Sequence, residues 1–339
     1  MKKNIYKIGV IGAGSWGTTL ASVAKDGGHD VTLWVYEEEL LEILKREYRN
    51  TFYLPDIDLE KNLKFTGSVR EAVEKKEIII WVTPVKNFRE IFKRGLAFSS
   101  PDTIHVCASK GIENNSLERI SQIAEEINPG FVEKGFAILS GPSFAIETSK
   151  KMPTAVVVAS RDKKTAELVQ EAMATSYFRT YTSDDMIGVE LGGALKNIIA
   201  VASGIVKGLD FGNNTRAALI TRGLAEITRL GEHFGADPRT FSGLSGMGDL
   251  MLTCNSSLSR NFSVGEEIGK GRKLSEILDE MNMVAEGVYT TKAAKAISEE
   301  QGIEMPITSE IYNVLFENKK PPQAVKDLMG RVLKKEITR

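Results

Sequence analysis

The chain has 339 residues, with 44 Lys+Arg against 45 Asp+Glu and a formal net charge of -1. At roughly 100–200 residues per domain this length predicts two domains, and 42% hydrophobic with 26% charged residues is a globular composition, not a disordered one. The balanced charge leaves no footprint for nucleic acid, and the longest apolar stretch, 198–206, is too short to span a bilayer, so no membrane insertion is expected.

Along the chain, residues 6–11 read as a short buried strand, followed by a glycine-rich turn, a helix over 15–26 and a second strand over 31–35. Further apolar runs at 77–82, 103–108, 135–139 and 154–159 alternate with helical or loop segments, which predicts a mostly parallel, doubly wound sheet. After about Asp185 helical periodicity takes over. Leu191, Leu195, Ile198, Ala202, Ile205 and Leu209 share one helical face. A second helix is expected from Asn213-Asn214 to Gly235, and two more over 287–301 and 308–318, the last capped by Thr308. The expected organisation is therefore an α/β domain over 1–185 and an all-α domain over 186–339.

Cys107 and Cys254 cannot build a disulfide framework, which fits a reduced, cytoplasmic setting. The glycines at 9, 12 and 14 break the N-terminal apolar run, so it does not read as a signal peptide. His29, His105 and His233 lack neighbours at metal-ligand spacing, and no metal site is expected.

Gly12-Ala13-Gly14-Ser15-Trp16-Gly17 matches G-x-G-x-x-G between a strand and a helix. In that context the first glycine permits the turn, the second the approach of a pyrophosphate, and the third close helix–strand packing, so a Rossmann-like dinucleotide site is expected. Glu37 stands where an acid would bond a ribose 2′-hydroxyl, with Glu38 and Glu39 behind it; alternatively, all three simply open a solvated helix. Tyr36 occupies the place where a 2′-phosphate would want a cation, so the chemistry leans to NAD without excluding NADP.

Lys196 lies in the otherwise almost uncharged stretch Gly192-Gly193-Ala194-Leu195-Lys196-Asn197-Ile198-Ile199. Burial of an ammonium favours its neutral form and would fit it for proton transfer, although an ion pair or a snorkelling side chain is an equal alternative. Gly248-Asp249-Leu250 and Ser259-Arg260-Asn261 form a second cluster, in which Arg260 offers a planar fork to a phosphate; a glycine loop followed by a helix cap is the alternative. Lys110-Gly111 and Ser140-Gly141-Pro142-Ser143 fall just past strand ends, where open α/β sheets bind ligands and where functionless loops are also common.

Together these stretches, with Leu54-Pro55, Phe144-Ala145, Glu190-Leu191, Thr221-Arg222-Gly223-Leu224-Ala225-Glu226, Glu286-Gly287 and Met305-Pro306-Ile307, closely resemble the bacterial-type NAD(P)-dependent glycerol-3-phosphate dehydrogenases over nearly the whole chain. The resemblance implies interconversion of dihydroxyacetone phosphate and sn-glycerol 3-phosphate, supplying phospholipid synthesis, with no metal. It implies Lys196 as the proton-transferring group, Asp249 holding it and binding substrate, and Lys110 adding positive charge near the reacting oxygen. Ser259, Arg260 and Asn261 would hold the phosphate, and Gly141 and Ser143 would touch substrate. Gly12, Gly14, Ser15, Trp16, Gly17, Tyr36, Tyr53, Lys110, Ala145, Arg260, Val284 and Glu286 would contact the cofactor. A rival reductase for a hydroxy acid or acyl thioester would not need Arg260, and a dinucleotide-sensing regulator could dispense with Lys196 or Asp249. A homodimer is left open, since an apolar helical half can bury its faces internally or against a second copy.

Overall fold

The structure, a computed structural model, describes residues 4–281, 284–333 and 335–336. Its strands are β1 (Lys7–Ile11), β2 (Asp30–Trp34), β3 (Arg49–Asn50), β4 (Leu54–Asp58), β5 (Lys64–Thr66), β6 (Ile78–Trp81), β7 (Ile104–Cys107), β8 (Phe136–Ser140), β9 (Thr154–Ala159) and β10 (Phe178–Ser183). Eight of them form one sheet in the order β10-β9-β8-β7-β6-β1-β2-β5, parallel except for the antiparallel pair β8–β9, while β3 and β4 make a separate hairpin. The mostly parallel sheet matches the expectation from sequence. The short strands β3, β4, β5 and β10 were not marked by any long apolar run.

The alternation of side chains explains why the strand sequences are apolar at nearly every position. Ile8, Val10, Ile78, Ile80, Val106, Ala137, Leu139, Val156 and Val158 point to one face of the sheet, and Ile11, Ile79, Trp81, Cys107, Phe136, Ile138, Val157 and Ala159 to the other. Both faces are buried, as a parallel sheet requires. The first face is covered by helices α1 (Ser15–Asp26), α2 (Glu38–Glu47) and α7 (Lys163–Met173), through residues such as Leu20, Leu40, Leu44 and Val169. The second is covered by α3 (Val69–Val73), α4 (Val85–Leu96) and α5 (Ile120–Ile127), through Val69, Phe88, Phe92 and Ile123. A short helix, α6 (Ala145–Ser149), follows β8.

Beyond the sheet come the long helices α8 (Met186–Gly208) and α9 (Asn213–His233), then α10 (Asp249–Cys254), α11 (Arg260–Gly269), α12 (Leu274–Asp279), α13 (Glu286–Glu300), α14 (Pro306–Phe316) and α15 (Pro321–Met329). Two compact units result. The α/β unit runs to Ala194 and resumes over Gly231–Asp249; the helical unit comprises Leu195–Leu230 and the chain from Leu250 onward. The single boundary expected after residue 185 thus becomes a division inside α8, with an excursion of the chain back to the α/β unit. Packing explains the excursion. The Asp237 N–H donates to Asp185 Oδ2 at 3.0 Å, Leu244 packs on the second core face, and a Cβ at Gly192 would lie 2.7 Å from the Ser245 carbonyl oxygen.

One expected cap is different. Thr308 does not precede α14 but lies in its first turn, and the buried carboxylate of Glu226, from α9, accepts the N–H groups of Ile307 (2.6 Å) and Thr308 (3.1 Å) and the Thr308 hydroxyl (3.1 Å). A side chain distant in sequence thus satisfies helix donors that would otherwise be orphaned.

Candidate active site

The α/β unit builds a nucleotide cradle at the end of β1. Gly12 has φ +119°, and a Cβ there would meet the Val82 carbonyl oxygen at 2.5 Å. A Cβ at Gly17 would stand 1.8 Å from the Gly12 carbonyl oxygen, so only glycine lets α1 start this close to the strand. Gly14, in contrast, faces open space. It occupies the N-cap of α1, which has neither a side-chain cap nor an acidic residue in its first turn. That leaves backbone donors and the positive helix end for an anion, and the residues fit a dinucleotide pyrophosphate.

Asn50 fixes this turn. Its Nδ2 donates to the Ala13 carbonyl at 2.7 Å and to Thr18 Oγ1 at 2.8 Å, and its Oδ1 accepts from the Tyr53 N–H at 3.0 Å. The Ser15 hydroxyl donates to the Tyr53 carbonyl at 2.9 Å, and the Tyr53 hydroxyl donates to Glu37 Oε1 at 2.7 Å. Ser15, Tyr53 and Glu37 therefore belong to one hydrogen-bonded group, with Tyr36 exposed beside it after β2. Ala145, the first residue of α6, is drawn to α1 because its carbonyl accepts from Thr19 Oγ1 at 3.3 Å, one turn past Ser15. Among the described residues, the buried Trp16 indole N–H has no hydrogen-bond acceptor.

Further along the same sheet edge, Lys110 follows β7 and its ammonium pairs with Asp249 Oδ2 at 2.7 Å, the Asp249 side chain being 1% exposed. Lys110 also reaches the Gly141 carbonyl at 3.4 Å, and the Ser143 hydroxyl donates to that same oxygen at 3.0 Å. Gly141 has φ +153°, and a Cβ there would lie 2.8 Å from Val156 Cα. Both the turn after β8 and the lysine after β7 are thus held by one carbonyl. The chain between Lys110 and α5 is braced from two sides. Arg89 pairs with Glu113 (2.8 Å) and Glu118 (2.6 Å), and these carboxylates hold its guanidinium far above its ordinary pKa, with the Glu113 hydrogen bond the largest contribution. The buried Glu190 of α8 accepts from Arg119 Nη1 at 2.8 Å and from the Ser121 N–H and hydroxyl at 2.7 Å each.

In the helical unit Lys196 is buried, and its Nζ donates to Thr253 Oγ1 at 2.8 Å. An isolated buried ammonium costs several kcal/mol, so neighbouring elements must supply partners, and Thr253 on α10 is one of them. On α10 itself, Thr253 follows Asp249 by one turn. Ser259 is the N-cap of α11, its Oγ accepting the Phe262 N–H at 3.3 Å. Arg260, exposed, and Asn261, buried, are the first two residues of that helix. A helix N-terminus, a guanidinium-bearing residue and a carboxamide-bearing residue are therefore adjacent in sequence at the start of α11, a combination whose chemistry suits an anion. Val284 and Glu286 lie at the start of α13.

Two of the three histidines occupy structural places. His29 Nδ1 accepts the Tyr6 N–H at 3.1 Å, which leaves Nε2 to donate to the Ala172 carbonyl at 2.8 Å. His105 accepts from Trp81 Nε1 at 3.1 Å inside an aromatic cluster, where burial pushes its pKa down to about 3. Sequence reasoning did not single out Asn50 or Arg119, and gave neither Glu190 nor Thr253 a role. Only Thr253 had a local signal, standing one helical turn beyond Asp249.

The family model for the NAD-dependent glycerol-3-phosphate dehydrogenase N-terminus matches residues 7–166, and that for the C-terminus matches residues 185–326. The NAD(P)+ glycerol-3-phosphate dehydrogenase of Citrifermentans bemidjiense is 52% identical over 330 residues, covering 97% of this chain and 98% of its own. That of Leptospira biflexa is 49% identical over 330 residues, covering 97% of this chain and 99% of its own. The crystal structure of glycerol-3-phosphate dehydrogenase from Coxiella burnetii superposes with a TM-score of 0.91 at 37% identity, over 96% of this chain and 99% of that one. By its cradle, its helical unit and its sequence, the chain belongs to the NAD-dependent glycerol-3-phosphate dehydrogenase family.

Proposed function

We propose that this chain interconverts dihydroxyacetone phosphate and sn-glycerol 3-phosphate with NAD(H) or NADP(H), in a role that feeds phospholipid synthesis. The observation that carries the reading is the helical unit's pairing of a buried, hydrogen-bonded lysine with an anion-binding helix end made of Ser259, Arg260 and Asn261. A substrate with a ketone and a phosphomonoester needs both features. A hydroxy-acid substrate also carries an anion, a planar carboxylate in place of the phosphomonoester, so the assay below separates that rival by its substrate.

Gly12, Gly14, Ser15, Trp16 and Gly17 would hold the pyrophosphate end of the cofactor, with Tyr36, Tyr53, Lys110, Ala145, Arg260, Val284 and Glu286 completing its contacts. The bound nicotinamide supplies or accepts the hydride. Arg260, Asn261 and the α11 N-terminus bind the phosphate and fix the register of the three-carbon chain, which converts binding energy into orientation. Lys196, as ammonium, donates a proton to the ketone oxygen in reduction and, as amine, takes it back in oxidation. Thr253 orients that nitrogen. Lys110, ion-paired with Asp249, places positive charge near the developing alkoxide, and Asp249 would hold Lys196 in position and bind the substrate. Gly141 and Ser143 line the same edge.

The test is the absorbance of the reduced nicotinamide, followed with dihydroxyacetone phosphate and each cofactor in turn. Turnover with this substrate, and none with 2-keto acids, is the expected outcome; the reverse selectivity would overturn the assignment. Localisation in the cytoplasm and assembly as a homodimer accompany the proposal and are read by fractionation and by sedimentation.

A further inference from the structure

Gly287 is the second, buried residue of α13. Its N–H donates to Asn261 Oδ1 at 2.8 Å in a buried bond. A Cβ at this position would meet the Asn197 carbonyl oxygen at 2.5 Å and Asn261 Oδ1 at 2.8 Å. The first turn of α13 is therefore pressed, backbone to backbone, against α8 at the residue after Lys196. It is also tied to α11 at the residue after Arg260.

The bond has a chemical consequence for Asn261. A carboxamide has one accepting end and one donating end, and a backbone N–H can only donate. The Gly287 N–H therefore selects the carbonyl end, which fixes the NH2 group on the other side. Among the described residues no group accepts from that NH2. It is left as an oriented donor beside Arg260 at the positive end of α11, the chemistry that a phosphate oxygen requires.

We infer that the Gly287 N–H is the positioning group of the phosphate clamp. It locks the Asn261 carboxamide with its NH2 toward the substrate phosphate, and the same bond fastens the turn that carries the cofactor-contact residue Glu286. Phosphate recognition and the first turn of α13 are then one hydrogen-bonded unit, and damage at Asn261 is felt at the cofactor as well as at the substrate. The inference rests on the assignment of the α11 N-terminus to the substrate phosphate.

Two replacements of Asn261 that add no bulk separate the two ends. Asn261→Asp keeps an oxygen for the Gly287 N–H but turns a second, anionic oxygen toward the phosphate. Asn261→Ala removes both ends. The KM for dihydroxyacetone phosphate is expected to rise at least about tenfold in both. The dissociation constant for NADH, from fluorescence titration, is expected to stay within about twofold in Asn261→Asp and to rise at least about threefold in Asn261→Ala. Gly287→Ala is a harsher probe, because its Cβ meets a backbone carbonyl, and it serves only if thermal unfolding shows a folded protein. Unchanged NADH affinity in Asn261→Ala, equal loss of it in Asn261→Asp, or an unchanged KM in Asn261→Asp would overturn the inference. A wild-type protein that neither binds NADH nor turns over dihydroxyacetone phosphate would instead overturn the functional assignment beneath it.

Discussion

In the α/β unit, the glycines of the site, Gly12 and Gly141, sit in turns at positive φ, while Gly14 leaves empty space before a helix end. In the helical unit, the comparable glycines lie inside regular helices. Gly204 and Gly208 of α8 face Gly265 and Gly269 of α11 so closely that a Cβ would meet backbone atoms at 2.0 Å at both Gly204 and Gly265. The first set frees backbone donors for a ligand; the second lets two helices touch along their main chains. The difference teaches that glycine opens turns in one unit and brings helices together in the other, where the spacing of the side chains they carry depends on how closely the helices cross. Lys196 and Asn197 on α8, and Arg260 and Asn261 on α11, are carried by that crossing.

The largest expected effect tests what the helical crossing carries. Lys196→Ala should lower kcat at least about a hundredfold, about 2.7 kcal/mol of barrier, with the NADH dissociation constant within about twofold of wild type. Steady-state rates and a fluorescence titration measure the two quantities. Near-normal turnover would remove Lys196 from the mechanism.

A pair of glycine variants sharpens the contrast next. Gly265→Val drives a branched side chain into the α8 backbone and should cost at least about 2 kcal/mol of stability, read by denaturant unfolding. Gly14→Ala meets nothing in the protein, so Tm should hold while NADH binding weakens about tenfold. A Gly14→Ala protein that loses stability but keeps its NADH affinity would show that both glycine sets serve packing.

The units also contrast in pH dependence. In the helical unit, burial raises Glu226 from 4.5 to about 7, against the opposing hydrogen bonds from Ile307 and Thr308. Between those values the folded state holds a proton that the unfolded state has lost, so this contribution is full below about pH 4.5 and is lost as pH rises through 7. In the α/β unit, burial lowers His105 from 6.5 to about 3, so its contribution is full above about pH 6.5 and is lost as pH falls toward 3. Each slope reaches at most about 1.4 kcal/mol per pH unit. Urea unfolding from pH 4 to 8 should show Glu226→Gln removing the alkaline-side decline and His105→Phe the acid-side one. A decline that survives its own substitution belongs to another group.

What was legible in the sequence follows from how local each signal is. The span of α1 was readable to the residue, because its start is set by a glycine turn and its end by Gly27-Gly28. The parallel strands were readable because burial on both faces makes them continuous apolar runs. Strand β10, Phe-Arg-Thr-Tyr-Thr-Ser, was missed because it is a half-exposed edge strand with alternating polar residues. The cap of α14 was misplaced because its acceptor, Glu226, arrives from another helix. The excursion of Gly231–Asp249 to the α/β unit was unreadable for the same reason: its packing partners lie at Asp185 and Gly192. In the site, Lys196 and Arg260 were visible as charges in unusual company. Asn50, Glu190 and Gly287 act by holding other groups, and such residues carry no compositional mark of their own.

The smallest expected effect concerns the choice between the two cofactors, where the α/β unit uses a charge. Glu37 follows β2 and is oriented by the Tyr53 hydroxyl, whose own segment is tied to Ser15 and Asn50 of the nucleotide turn. A carboxylate there accepts from a ribose 2′-hydroxyl and repels a 2′-phosphate. Glu37→Gln keeps an acceptor and removes the repulsion, so kcat/KM for NADPH relative to NADH should rise about fivefold, about 1 kcal/mol. Tyr53→Phe keeps the charge but releases its orientation, and should move the same ratio less. If the wild-type protein already prefers NADPH strongly, or if Glu37→Gln leaves the ratio where it was, the carboxylate does not face the ribose. The adenine side of the cradle would then discriminate through its backbone alone.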